Sequence, residues 1–193
     1  MKKKYTLSLL IVLAAITSCS LSKYNLDYIS DETVKEAAKI MAQFRKTSPL
    51  LLDDERLEIW DKFEAYSDSL ENTTFIEYFG SPSEVASEME KAVPMLYFYR
   101  EAFDKVLYEV KTTKVKYGTT EIWMLYNMGF VVKTPSGCFG IDIDHRLAKN
   151  LEPYLDFLCI THNHGDHYNM ELVEAMISNG KPVLSNFYEG STD

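Results

Sequence analysis

Apolar residues recur at helical spacing through the first half of the chain and alternate at strand spacing through the second, with the change falling near residue 110. Asp31-Glu32-Thr33 opens a segment, Val34 to Arg45, in which Val34, Ala37, Ala38, Ile40, Met41 and Phe44 line one side of a helix. A second helix is expected over Asp53 to Leu70, with Leu57, Ile59, Trp60, Phe63 and Tyr66 as its apolar side, and Gly80-Ser81-Pro82 closes that region. A third fits Ser83 to about Lys91. Pro94 begins a fourth, running to about Tyr108, whose stripe Leu96, Tyr97, Tyr99, Phe103, Leu107 and Tyr108 is expected in the core because aromatic side chains bury large areas.

Beyond Val110 the pattern predicts strands over Thr112 to Tyr117, Thr120 to Tyr126, Phe130 to Thr134 and Cys138 to Ile143, with turns at Gly118 and Pro135-Ser136-Gly137. A short helical stretch near Leu147 to Leu151 follows. Next come an apolar strand Phe157 to Thr161, a polar loop, a helix from about Met170 to Ser178, a stop at Asn179-Gly180 and a last strand Pro182 to Ser185. This is an α+β chain: a helical region over residues 31–110 and a sheet-containing region over 111–193.

The N-terminus reads differently. MKKK is followed by the apolar run Leu7 to Ile16 and then by Thr17-Ser18-Cys19, the layout of a secretory signal. The run is shorter than the roughly 20 apolar residues a bilayer span takes. Ile16-Thr17-Ser18-Cys19 resembles the bacterial lipobox. That resemblance implies a signal peptide over residues 1–18, acylation of Cys19, a tether over 19–30, and a membrane-anchored, extracytoplasmic protein of the bacterial cell envelope. The alternative is an ordinary cleaved leader with an incidental cysteine. Of the other cysteines, Cys138 and Cys159 lie in strand-like segments and are expected as buried free thiols, although an oxidising compartment permits a disulfide.

The net charge of −9 becomes −12 once Lys2, Lys3 and Lys4 leave with the signal. That sign excludes nucleic acid as a partner, since phosphates require a basic surface.

The chemistry concentrates in Thr161-His162-Asn163-His164-Gly165-Asp166-His167, where three of the four histidines fall within six positions between a buried strand and a helix. Imidazoles and a carboxylate are the donors that Zn²⁺ or a similar cation prefers. With Asn163 pointing away, His162 and His164 face the same side, and the spacing of three from His164 to His167 suits a starting helical turn. Gly165 adds backbone freedom.

These residues resemble the His-x-His-x-Asp-His hallmark of the metallo-β-lactamase superfamily at every specified position: His162, His164, Asp166 and His167. The flanks are similar too, with Phe157 to Thr161 running into the motif and Phe139-Gly140-Ile141-Asp142-Ile143-Asp144 some twenty positions earlier. Within the superfamily the wording is closest to the lactonase-like branch. The resemblance implies an αββα sandwich and a site of two cations, zinc or another divalent metal, when complete. His162 and His164 would hold the first, Asp166 and His167 the second, and Asp166 would also orient the attacking water. The substrate it implies is a small molecule carrying an ester, lactone, amide or phosphoester. Asp142 and Asp144 are candidates for orienting an imidazole, although solvated carboxylates are the expectation, and His145 is expected at the surface.

The resemblance covers only about residues 111 to 187, the first half of the family fold. The family's remaining ligands, two histidines and a bridging aspartate, have no counterpart after His167, where Glu171, Glu174, Glu189 and Asp193 are the acidic residues. The expectation is therefore the front half of a longer hydrolase, with one sheet face open unless the 31–110 helices cover it. The alternatives are a non-catalytic exported metal-binding lipoprotein that keeps a half-site, and an inactive fragment.

Overall fold

A computed structural model describes residues 31–187 apart from 49, 68–71 and 127. The expected signal peptide, Cys19 and the expected tether, with Glu189 and Asp193, lie outside the described residues. Within them the chain is mixed α+β, and no helix is long and apolar enough to cross a membrane.

The helical region begins with α1 (Glu32–Phe44), capped by the Asp31 carboxylate, which accepts from the Thr33 amide at 2.7 Å. It buries Val34, Ala37, Ala38 and Ile40, as their spacing predicts. Helix α2 (Asp54–Ser67) buries only Ile59, while Leu57 and Trp60 of its expected apolar side are exposed. A helix that the sequence reading did not assign, α3 (Asn72–Gly80), precedes α4 (Ser83–Ala92). Its Tyr78 is fully buried and donates to the buried Glu90 carboxylate at 2.7 Å.

Helix α5 (Pro94–Thr112) starts on a proline, which suits a first turn whose amide has no helical partner. It runs four residues past the expected end because Val106 and Val110 continue the buried face. The strand expected over Thr112 to Tyr117 is absent: Thr112 ends α5, and the alternation beyond it lies in exposed or half-exposed irregular chain. The aromatic stripe packs as core except at Tyr108, which is 46% exposed.

Five strands, β1 (Glu121–Met124), β2 (Phe130–Thr134), β3 (Gly137–Ile141), β4 (Phe157–Cys159) and β5 (Val183–Leu184), form one mixed sheet in chain order. The first three are an antiparallel meander, with β2 and β3 joined by the two-residue loop Pro135-Ser136. A 3-10 helix (Ala148–Tyr154) connects β3 to its parallel neighbour β4, and α6 (Met170–Ser178) connects β4 to parallel β5. Helices α5 and α6 and the 3-10 helix cover one face, where Val106, Val110, Val131, Leu151, Leu158, Leu172 and Met176 share a core. The other face, carrying Ile122, Met124, Val132, Phe139, Phe157 and Leu184, is half-exposed or exposed. The helical region therefore packs on only one side of the sheet.

His145 departs most from expectation. It is wholly buried, its ring stacked between Tyr99 at 3.9 Å and Phe103 at 4.2 Å between centroids, so it pins the sheet region onto α5. Nδ1 accepts from the Leu147 amide at 3.1 Å and Nε2 faces the Tyr99 carbonyl at 3.5 Å, a pairing that only the neutral ring satisfies. Beside it Arg146 donates to the Tyr78 and Ser81 carbonyls, tying α3 to the same loop.

Burial drives the His145 pKa down to about 3, against an ordinary value of 6.5. The unfolded chain thus binds the extra proton between those limits. The stabilisation, on the order of 5 kcal/mol, is full above pH 6.5 and drains away as pH falls towards 3. Urea unfolding over that range should show a stability slope that shrinks by about one proton in His145→Gln; an unchanged slope would contradict the buried neutral ring.

Candidate metal centre

The motif loop leaves the C-terminal end of β4, where ligand-binding loops of parallel strands gather. Because β3 and β4 are parallel with Ile141 opposite Cys159, the residues just beyond them, Asp142 and Ile160-Thr161, lie side by side. The Asp142 amide donates to the Cys159 carbonyl at 3.0 Å. Asp142 has φ of 48°, the one positive value at a described non-glycine residue, a conformation that aspartate tolerates better than most residues and that surrounding bonds must hold.

Those bonds come from Thr161. Its amide donates to Asp142 Oδ1 at 2.8 Å and its hydroxyl to Oδ2 at 2.7 Å, while His167 Nδ1 lies 3.1 Å from Oδ2. Burial pushes the Asp142 carboxyl up, but the Thr161 bonds and then His167 outweigh it, so the pKa sits below the ordinary value and the group is an anion. The expectation of a solvated Asp142 is therefore overturned: it is 6% exposed and is a positioning residue for the histidine cluster.

The tautomers follow from hydrogen bonding. An ionised carboxylate only accepts, so the single Thr161 hydroxyl proton goes to Asp142, and Thr161 Oγ1 then accepts from His162 Nδ1 at 3.0 Å. His167 Nδ1–H likewise donates to Asp142. Both rings therefore carry their proton on Nδ1 and leave the Nε2 lone pair available to a metal ion, the arrangement that metal-binding imidazoles adopt over a carboxylate.

The loop turns bring the donors together. His164 N–H donates to the His162 carbonyl and His167 N–H to the His164 carbonyl, each at 3.0 Å, while Asn163 points away and accepts from the Tyr168 hydroxyl. His162 Nε2 and His164 Nδ1 stand 3.0 Å apart, and one ligand atom from each of His162, His164 and His167 lies within 4.8 Å of the others. Two nitrogens on one tetrahedral zinc sit about 3.3 Å apart, so this pair needs to part by only a few tenths of an ångström. The three histidines are thus close enough to bind one metal ion. Asp166 is at the rim, exposed, with Oδ1 3.9 Å from His167 Nε2.

Two neighbours complete the electrostatics. Asp144, expected as solvated, is half-buried, and burial followed by the charge of Asp166 pushes its pKa up to about 6. Tyr126, two residues beyond β1, is also raised, first by burial and then by the charges of Asp144 and Asp166. Asp142 and Asp166 thus lie beside His167, with Asp144 within electrostatic reach of Asp166, an anionic setting that favours a divalent cation. Cys138 is a buried free thiol as expected; Cys159, also free, is only half-buried, and burial raises both thiol pKa values.

No protein family, curated protein or solved structure matches this chain.

Asp142→Asn and Thr161→Val should each weaken zinc binding by about 10- to 100-fold, the usual cost of losing a carboxylate that orients a ligating imidazole. Competition against a chelating dye reads this directly. Unchanged affinity in both variants would separate the Asp142 network from metal binding.

Proposed function

We propose that this chain carries a metal-dependent hydrolase centre of the metallo-β-lactamase type, with zinc or a similar divalent cation held by His162, His164 and His167 and with Asp166 at its edge. The observation that carries the reading is the donor set itself: three imidazoles with two tautomers fixed for metal binding by one ionised carboxylate. The match of His162, His164, Asp166 and His167 to the superfamily motif supports it.

A bound cation of this kind supplies Lewis acidity, acidifying a water towards a pKa of about 7 and polarising a carbonyl or phosphoryl oxygen. The residues do the rest. Asp142 and Thr161 hold His162 and His167 by their Nδ1 atoms and leave the Nε2 lone pairs for the cation. Asp166, exposed at the rim, would orient the attacking water, as the superfamily motif implies. A superfamily site of two cations assigns Asp166 and His167 to the second. The substrate class is a small molecule with an ester, lactone, amide or phosphoester bond. The resemblance of Ile16-Thr17-Ser18-Cys19 to a lipobox supports an envelope location, with a lipid anchor on Cys19.

A second reading, non-catalytic metal binding, is favoured by the grouping of His167 with His162 and His164 in one cluster, with Asp166 standing at the rim.

The full chain should bind zinc by elemental analysis and hydrolyse at least one member of an ester, lactone and phosphodiester panel. His164→Ala should lower bound zinc and abolish turnover while leaving the circular dichroism spectrum intact. Zinc without turnover would select the second reading, and zinc retained in His164→Ala would contradict both.

A further inference from the structure

The helical region contains a cavity of about 350 Å³ lined by Met41, Phe63, Phe75, Phe98 and Ala102, with Tyr99 and Tyr126 forming one wall. Its size falls within the roughly 300–1,000 Å³ typical of small-molecule pockets. No charged side chain lines it, so an ionic headgroup would lose its hydration there without a counter-charge, and the chemistry of the wall selects an apolar occupant.

The tyrosine wall connects the cavity to the metal loop. Tyr99 stacks on His145, three residues after Asp142, and its hydroxyl accepts from the Arg146 amide at 3.1 Å. Tyr126 packs on Tyr99 with centroids 5.0 Å apart and on Phe75 at 5.3 Å. Tyr126 thus belongs both to the cavity wall and to the aromatic cluster around His145. A helical region that only buttressed the sheet would have no need to leave an aromatic-lined space of this size, because protein cores pack to near-crystalline density.

We infer that this cavity is the subsite for the apolar acyl or aryl part of the site's substrate, with Tyr99 and Tyr126 as the partition between that group and the bond presented to the histidine cluster. The inference rests on the hydrolase reading for the word substrate, and on the cavity alone for the binding of an apolar group.

The test uses the full chain and the neutral fluorophore N-phenyl-1-naphthylamine. The expected result is saturable binding of one probe per chain, weakened at least tenfold by Ala102→Trp, which fills the space, and by Met95→Trp at another lining position, with unchanged binding in Ile122→Ser on the open sheet face and Leu51→Ser on the exposed loop before α2. Two substitutions at separate points keep the result decisive if one of them prevents folding. Co²⁺ at the histidines should quench the bound probe, and His164→Ala should remove the quenching and leave probe binding intact. Binding that survives both filling variants, or is lost instead in Ile122→Ser or Leu51→Ser, overturns the inference, as does bound Co²⁺ that leaves the probe's emission unchanged. Failure of Co²⁺ to bind at all overturns the metal centre, while the filling variants still decide the cavity.

Discussion

The Asp142–Thr161 pair is the contact on which the site depends. Parallel pairing of β3 and β4 brings the two strand ends level, and the Thr161 amide and hydroxyl then engage both oxygens of one carboxylate. That engagement keeps Asp142 ionised and holds its left-handed backbone, and it also fixes two imidazole tautomers through His162 and His167. Removing the carboxylate would free Thr161, the acceptor of His162 Nδ1–H, to rotate and leave His167 Nδ1–H without its anionic acceptor, so one change would loosen two metal-binding rings together. The glycine two residues earlier serves the same corner: a Cβ on Gly140 would come within 2.6 Å of the Ile143 side chain and 3.0 Å of Leu158.

The helical region meets this corner from the other side. His145 sits between Tyr99 and Phe103 of α5, Arg146 reaches the carbonyls at the end of α3, and the Lys133 ammonium donates to the Val110 carbonyl. The His145 and Arg146 contacts run through the loop that begins at Asp142, so the position of the helices and the position of the metal loop are mechanically linked. The same stacking makes Tyr99 and Tyr126 part of the wall of the apolar cavity.

Much of this was legible in the residues. The spacing of Val34, Ala37, Ala38 and Ile40 marked α1, the Pro135-Ser136 turn marked the β2–β3 hairpin, and the clustering of His162, His164 and His167 marked the donors. The failures have physical causes. Lys114 and Lys116 alternate like a strand with no partner strand to pair with, and Val106 and Val110 draw α5 onward instead. Asp142 and His145 are polar residues near a strand end, where exposure is the ordinary state; only the parallel register and two aromatic rings contributed by a helix some forty residues earlier bury them. Long-range partners of that kind leave no local periodicity. The short α3 was missed for the related reason that its buried anchor, Tyr78, takes its partner from Glu90 in the next helix.

The central claim is that a single carboxylate presets the histidines for a metal ion, and long-range ¹H–¹⁵N NMR of the imidazoles before and after zinc addition tests it most directly. The account predicts that His162 and His167 are both Nδ1–H tautomers in the metal-free protein, that zinc shifts their Nε2 resonances and the Nδ1 resonance of His164, and that Asp142→Asn scrambles the two preset tautomers. Nε2–H tautomers at His162 and His167 in the metal-free protein, with the same mixture in Asp142→Asn, would contradict it.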